Sequence, residues 1–359
     1  MPSPTITAIR TRAVLAPLPR PITTAVAAIE KAPLLLIDIE TREGVVGRSY
    51  LFTYTPLALA PLSSLIRNVG DSLIGKTVDP LPRFAELTGM FRLLGRQGLV
   101  AMAMAGFDMA FWDALGKSCN RSVAEMLGAA PMPLPCYDSH GIFDGQRDRA
   151  LLEQSLQEGF RAVKFKIGNG TDGDDIRALT EITEIAGPEV DVMVDYNQSL
   201  RTPEAVRRIR ALEDRFDLAW IEEPLPAEDY AGYQTLRSAV RTPLQAGENW
   251  WLPEDAARAI GARVSDHAML DIMKIGGVTG WMRAAPLADA ASMPVSSHIF
   301  VEASAHVLAA TPNRHLLEYL DVAGGILAAP YEITRGTLTA KGPGLGIAWD
   351  EKAVTRHAA

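Results

Sequence analysis

Two lysines in the stretch Arg161-Ala162-Val163-Lys164-Phe165-Lys166-Ile167-Gly168 are the first groups in this chain with chemistry to offer. In a strand, residues two apart share a face. Lys164 and Lys166 then project together, while Val163 and Phe165 cover the other side. Two ammonium groups aimed the same way repel. Repulsion plus burial lowers at least one pKa and leaves a neutral amine to act as a base. The bland alternative is an exposed edge strand with lysines as aggregation guards.

The residues downstream decide between these readings. Short apolar stretches end in polar groups in the order Ser139, Lys164 with Lys166, Asp195 with Asn197, Glu222 with Glu223, Glu248 with Asn249, Asp271, His298 and Glu318. The spacings are 27 residues from Asp195 to Glu222, 26 to Glu248, 23 to Asp271 and 27 to His298, about one strand–helix unit each. In a barrel of such units the active site lies at the C-terminal strand ends. Asp195, Glu222 and Glu248 on adjacent strands, about 4.8 Å apart, make a hard oxygen site. It suits Mg²⁺, or Mn²⁺, better than Zn²⁺. Without a cation, three converging carboxylates repel and some stay protonated. Alternation places Ile221 toward the helices and Glu222 inward with Trp220, and Pro224 turns Glu223 outward. It does not by itself settle the choice between the two glutamates.

Asp271 beside His298 orients the ring and raises the basicity of its outer nitrogen. Strands two and six to seven lie across a barrel mouth from each other. Two bases then face a metal-bound substrate from opposite sides, which suits removing a proton from one face of a carbon and returning it on the other. A dianionic aci-carboxylate develops in such a reaction, and metal ligation, a cationic Lys164 and preorganised donors stabilise it. Glu318 serves as a hydrogen-bond donor if a dry site raises its pKa. The remaining histidines read as structural: His140 and His315 at a loop or strand start, His306 on a helix, and His267 and His357 without partners.

The elements that position these groups begin with an α+β unit over residues 1–130. Residues 5–15 and 33–51 read as strands of an antiparallel meander, with a loop from Pro19 to Lys31. Helical patterns follow at 56–75, 82–95 and 98–117, and Asp108 and Asp113 on the last read as cap or surface residues. From 134 the pattern becomes strand–helix alternation. The strands are Leu134–His140, Ala162–Gly168, Val190–Asn197, Leu218–Pro224, Leu244–Glu248, Met269–Ile275, Val295–His298 and His315–Leu320. Helices at 173–186, 203–214, 230–239 and 253–261 separate some of them. Eight two-sided apolar strands predict a closed barrel. A doubly wound open sheet would be favoured by a glycine-rich phosphate turn after the first strand, which is missing.

Composition sets outer limits. The 359 residues carry a net charge of −8 and no basic block, which disfavours nucleic acid as a partner. Two cysteines, Cys119 and Cys136, suit a reducing cytoplasm. No signal peptide is expected at Met1-Pro2-Ser3-Pro4-Thr5, and no membrane span.

Long motifs carry a family resemblance. They include Thr24-Ala25-Val26, Trp112-Asp113-Ala114-Leu115-Gly116-Lys117, Tyr137-Asp138-Ser139-His140, Val194-Asp195-Tyr196-Asn197-Gln198-Ser199-Leu200, Trp220-Ile221-Glu222-Glu223-Pro224 and Lys274-Ile275-Gly276-Gly277-Val278-Thr279-Gly280-Trp281. With these the chain resembles the enolase superfamily and, within it, the mandelate racemase group. The resemblance implies an α+β capping domain (1–130, with a tail 325–359 packing on it) plus a (β/α)7β modified TIM barrel (131–324). It implies Mg²⁺ ligation by Asp195, Glu222 and Glu248, with Mn²⁺ as a possible substitute. It implies racemisation of mandelate or a related aryl α-hydroxy acid. Lys166 would be the base for the S enantiomer, His298 with Asp271 the base for the R enantiomer, and Glu318 the electrophilic acid. Lys164 would contact the substrate carboxylate and modulate its neighbour's pKa, with Ser139 and Asn197 as further polar contacts. A homo-octamer is implied as well. The related lactonising and epimerising group carries a catalytic lysine where this chain has Asp271.

Substrate choice falls to the capping loop. Ile22, Val26, Ile29, Phe52 and Tyr54 suit an aryl group better than a sugar acid. The segment Ala27-Ala28-Ile29-Glu30-Lys31 and Tyr319, where an arginine is expected, depart from the racemase pattern. Lys274 has an odd offset from Asp271, so it is expected off the inner face. An acid-sugar dehydratase and a non-catalytic metal-dependent binding barrel are the competing readings. A zinc hydrolase barrel is disfavoured for want of a histidine cluster.

Overall fold

The structure, a computed structural model, describes residues 3–23 and 28–359. Its first layer is an antiparallel sheet in the order β1 (Ile6–Thr23), β2 (Ala28–Thr41), β3 (Val46–Phe52). Central β2 carries the run Leu34-Leu35-Leu36-Ile37, and all four side chains are buried. A strand covered on both faces reads as such an unbroken apolar run. The loop expected from Pro19 to Lys31 is largely strand. After a register shift beyond Pro17, Ile22 lies opposite Ile29 and Thr23 opposite Ala28. Pro19 and Pro21 fit there because β1 is an edge strand, where a missing N–H is tolerated. Val26 and the motif Thr24-Ala25-Val26 lie outside the described residues.

Four helices follow: α1 (Leu59–Asp71), α2 (Pro80–Met90), α3 (Leu99–Ser118) and the short α4 (Val123–Met126). α3 is apolar on all sides, as a helix enclosed by protein must be. It is long and apolar enough to cross a membrane, yet 78% of its apolar window is buried inside the protein, so it is a core helix.

From β4 (Pro133–Ile142) strands and helices alternate: α5 (Gly145–Gln157), β5 (Ala162–Lys166), α6 (Asp172–Ala186), β6 (Asp191–Asp195), α7 (Thr202–Glu213), β7 (Ile221–Glu222), α8 (Tyr230–Ala239) and β8 (Leu244–Ala246). Then come α9 (Leu252–Ala262), β9 (His267–Asp271), α10 (Gly277–Ala290), β10 (Val295–His298), α11 (Val301–Ala309) and β11 (Leu317–Tyr319). These eight strands and seven helices form the expected (β/α)7β barrel. Parallel pairing runs β10-β9-β8-β7-β6-β5-β4-β11. The N–H groups of His315 and Ser297 donate to the carbonyls of Val295 (2.7 Å) and Leu316 (3.2 Å) and close the ring. Tyr137, Ala162, Met193, Trp220 and Met269 pack its floor, so the interior is a core and not a pore. The chain then returns through β12 (Thr337–Thr339), antiparallel to β4, and α12 (Glu351–Arg356). Trp349 donates to Asp38 of β2 at 2.8 Å, and Leu15 of β1 donates to the His357 carbonyl at 2.8 Å.

Asp108 and Asp113 are buried, not surface residues. Asp108 accepts from the Thr279 N–H in the first turn of α10 at 2.8 Å, a cap supplied from another helix. Asp113 accepts from the N–H groups of Arg48 and Leu345, each at 2.7 Å, and from Lys117 at 2.5 Å. It therefore ties β3, α3 and the C-terminal segment together. Asp113→Ala leaves an ammonium and two N–H groups without their acceptor, and it should cost about 3–5 kcal/mol, the range for breaking a buried pair. Urea unfolding checks this; a loss below about 1 kcal/mol would mean that water replaces the carboxylate.

Candidate active site

Strand alternation delivers one ring of polar side chains to the C-terminal rim. Lys166 lies in register with Asp195, Asp195 with Glu222, Glu222 with Gln245, and His298 with Asp271. Ser139, Lys164, Asp195, Glu222, Asp271 and Glu318 are nearly fully buried, and His298 and Lys166 are slightly more open. The backbone beyond the strands is unusual. Asn197, Gln198, Glu223, Ile299 and Phe300 all have φ between 33° and 63°, a region that side chains other than glycine rarely adopt. Such conformations cluster where function demands them. After β8 a glycine is required: Gly247 has φ 137°, and a Cβ there would lie 2.7 Å from the Met269 carbonyl oxygen. This turn aims Glu248 at the mouth.

The ring is organised as ion pairs. Lys164 binds Glu222 and also Glu318 (2.9 Å). Lys166 binds Asp195 at 2.6 Å, and Asn197 donates to the same carboxylate through its backbone N–H (2.7 Å) and its side-chain amide (2.8 Å). His298 places Nδ1 2.6 Å from Asp271 and Nε2 3.1 Å from Glu248. The other Asp271 oxygen accepts from the N–H groups of Met273 (2.7 Å) and Lys274 (2.9 Å), so the aspartate that fixes the ring is itself fixed. Among the described residues no three carboxylates or histidines already share one point. Asp195, Glu222 and Glu248 lie on neighbouring strand ends, but each is turned toward a basic partner.

Four expectations change here. Neither lysine is a neutral amine in this state. Burial opposes their charge, but Glu222 and Glu318 push Lys164 well up, and Asp195 pushes Lys166 up despite repulsion from Lys164. Glu318 is a carboxylate rather than an acid. Burial opposes ionisation, yet Lys164, His298 and the Ile299 N–H (2.8 Å) hold it down to about 2. Glu223 does not turn outward. It is buried and accepts from the Asn249 amide at 2.6 Å. Lys274 is not off the site either. Its Nζ donates to the Asn249 side chain at 2.6 Å and lies 5.0 Å from the centre of the Tyr54 ring. The last two differences share a cause: the strands end at Glu222 and Asp271, and two-residue alternation stops applying there.

Gln245 is a site residue that the sequence reading misses. Its amide donates to Glu222 at 3.0 Å, beside the Trp220 indole N–H at 3.3 Å. A polar residue between buried Leu244 and Ala246 in a barrel strand points inward, and that signal is present in the sequence. Of the apolar wall, Phe52 is buried against Tyr54 with ring centres 4.6 Å apart, and Ile22 is buried opposite half-buried Ile29. Tyr54 is partly exposed and feels the charges of Asp271, Glu248 and Glu318, which sets it at the mouth.

The donor set fits a divalent cation. Six buried or nearly buried carboxylates (Asp195, Glu222, Glu223, Glu248, Asp271, Glu318) face Lys164, Lys166, Lys274 and one histidine. Burial and neighbouring carboxylates push Glu222 up to about 7 and Glu223 up to about 8. His298 is held at about 9: burial opposes its charge, but Glu248 and the Asp271 hydrogen bond outweigh it. The site is short of positive charge, and a hard cation on carboxylate oxygens supplies it.

Known proteins share this architecture. A crystal structure of an enolase from Bradyrhizobium, complexed with magnesium and mandelic acid, superposes with a TM-score of 0.97 at 48% identity over 100% of this chain and 99% of that one. The L-talarate/galactarate dehydratase of Salmonella typhimurium is 28% identical over 90% of this chain and 82% of its own length. The 3,6-anhydro-alpha-L-galactonate cycloisomerase of Streptomyces coelicolor is 28% identical over 98% of each. Residues 6–128 match the family model "mandelate racemase / muconate lactonizing enzyme, N-terminal domain", and residues 147–353 match "enolase C-terminal domain-like". With both halves matched and the rim groups in register, the chain belongs to the enolase superfamily, in its mandelate racemase/muconate lactonizing enzyme family.

Proposed function

We propose that this protein is a Mg²⁺-dependent racemase that interconverts the R and S forms of mandelate, or of a closely related aryl α-hydroxy acid, by 1,1-proton transfer between two bases. The observation that carries this reading is the placement of two proton-handling groups on opposite walls. Lys166 is on β5 and Asp271 on β9, four strands apart in a ring of eight, with His298 beside Asp271 on β10. The Bradyrhizobium enolase bound to magnesium and mandelic acid supports it.

In this reading Asp195, Glu222 and Glu248 would hold the cation, with Trp220 and Gln245 fixing one oxygen of Glu222. Magnesium, when bound, supplies positive charge against the negative charge that develops on the substrate carboxylate. Asp195, if it held the cation, would loosen its hold on Lys166, and burial and repulsion from Lys164 would then favour the neutral amine. Lys166 then exchanges the α-proton of the S form. His298 would do the same for the R form through Nε2 once Glu248, turned to the cation, no longer holds the ring in its protonated form, while Asp271 keeps the proton on Nδ1. Lys164 moves its charge to the substrate carboxylate. Glu318, released from Lys164, takes a proton and donates a hydrogen bond. Ser139 and Asn197 hold polar groups of the substrate. Ile22, Ile29, Phe52 and Tyr54 form the wall against its aryl group.

A second reading, acid-sugar dehydration, is favoured by the dehydratase and cycloisomerase among the relatives. It uses the same bases, with His298 protonating a departing hydroxyl. The apolar wall opposes it.

In D₂O with Mg²⁺, both mandelate enantiomers should take up deuterium at the α-carbon and lose optical rotation, followed by ¹H NMR and polarimetry. Lys166→Arg should slow exchange from the S form by about 10³-fold, as expected for loss of a general base, and leave exchange from the R form largely intact. Equal loss on both faces would sink the two-base reading. Chelation with EDTA should abolish exchange, and Mg²⁺ or Mn²⁺ should restore it. If mandelate is inert and an acid sugar yields a semicarbazide-reactive keto acid, the dehydratase reading replaces this one.

A further inference from the structure

Arg20 lies on the outer arm of β1, beyond the register shift and two residues from Ile22. Its guanidinium leaves the capping sheet and reaches β4 of the barrel. Nη1 donates to one Asp138 oxygen at 3.1 Å, and Nη2 pairs with the other. Nη2 also donates to the Ser139 carbonyl at 2.9 Å, and Nη1 lies 3.3 Å from His140 Nδ1. A planar fork on a carboxylate fixes direction as well as distance. Behind it, Ser155 of α5 holds both Asp138 and His140. The pair is well shielded, with 22% of the Arg20 and 5% of the Asp138 side chain exposed.

Packing around the Arg20 side chain is incomplete. Arg20 lines a cavity of about 220 Å³ with Pro19, Leu151 and Tyr319. It also lines a smaller one of about 60 Å³ with Thr23 and His140. The arm also approaches the barrel closely through its backbone: a Cβ on Gly141 would lie 3.0 Å from both the N and the O of Thr23. Arg20 on Asp138 and Thr23 on Gly141 thus bracket Ile22, which faces Ile29 across the hairpin. The carbonyl that Arg20 grips belongs to Ser139, whose side chain is on the inner face.

We propose that Arg20 is a positioning residue: its clamp on Asp138 and the Ser139 carbonyl holds the apolar hairpin wall at the barrel mouth and so sets a preference for aryl over small alkyl substituents. This rests on the aryl hydroxy acid reading above. Two hydroxy acids without an α-proton serve as inert probes, 2-hydroxy-2-phenylpropanoate and 2-hydroxy-2-methylpropanoate, titrated calorimetrically into the full chain with Mg²⁺. Arg20→Met, which keeps the apolar stem, should weaken the phenyl probe by about tenfold through lost preorganisation and the methyl probe by less than about twofold. Arg20→Lys should recover part of the loss. Asp138→Asn should reproduce it, and the double variant should lose no more than either single one. Equal weakening of both probes, or none, overturns the inference. If the unaltered protein shows no preference for the phenyl probe, the aryl reading fails and the specificity half of this inference fails with it. Amide hydrogen exchange at Ile22 and Ile29 then decides the clamp: faster exchange in Arg20→Met but not in Arg20→Lys supports it, and unchanged exchange overturns it.

Discussion

The structure turns on the cost of holding many carboxylates out of water in one place. A buried ion carries a penalty of several kcal/mol unless it is paired. Lys164 is the hub of the pairing. From β5 it reaches Glu222 on β7 in one direction and Glu318 on β11 in the other, two strands away on each side. A single ammonium therefore spans half of the ring. Lys166, one turn of the pleat higher, serves Asp195 on the adjacent strand. The aromatic and methionine floor below them excludes water and makes each pairing stronger.

Alternation makes much of this legible in the amino-acid sequence. The eight strands follow from short two-sided apolar runs, and the shared face of Lys164 and Lys166 from a period of two. The rim placement of Asp195, Asp271, His298 and Glu318 follows from their positions at strand ends, while the choice between Glu222 and Glu223 stays open. Alternation misplaces Glu223 and Lys274, because each stands just past a strand end. Glu223 has φ 33°, and Lys274 sits in a turn whose N–H groups bond to Asp271. Protonation states are less legible still. Repulsion between Lys164 and Lys166 is a local fact. The carboxylates that outweigh it come from positions 195, 222 and 318, and their distances exist only in the folded barrel.

The cap shows a parallel limit. Its central strand and long core helix are readable from apolar pattern. Its orientation on the barrel is less so, since polar contacts between distant segments add direction to the apolar packing that the two share. Tyr50 of β3 donates to Glu302 of α11 at 2.5 Å, Asp108 of α3 caps α10, and Arg20 of β1 reaches Asp138 of β4. Buried polar contacts of this kind are directional, so they fix the angle of the cap as well as its adhesion.

That division bears on how one scaffold serves several reactions. The relatives include a dehydratase and a cycloisomerase, so the shared family architecture cannot by itself choose the chemistry. A ring of acids and bases can move protons on either face of any carboxylic acid it can hold. The substrate's fate then depends on which groups sit next to the α-carbon and whether a leaving hydroxyl finds a polar partner. A wall with Ile22, Ile29 and Phe52 offers no hydrogen bonds to a polyol chain. Burying hydroxyls against it would leave them unpaired, at about 1–3 kcal/mol each. In the racemase reading proposed above, discrimination against acid sugars would arise from what the cap withholds, and it would depend on the apolar residues Ile22, Ile29 and Phe52.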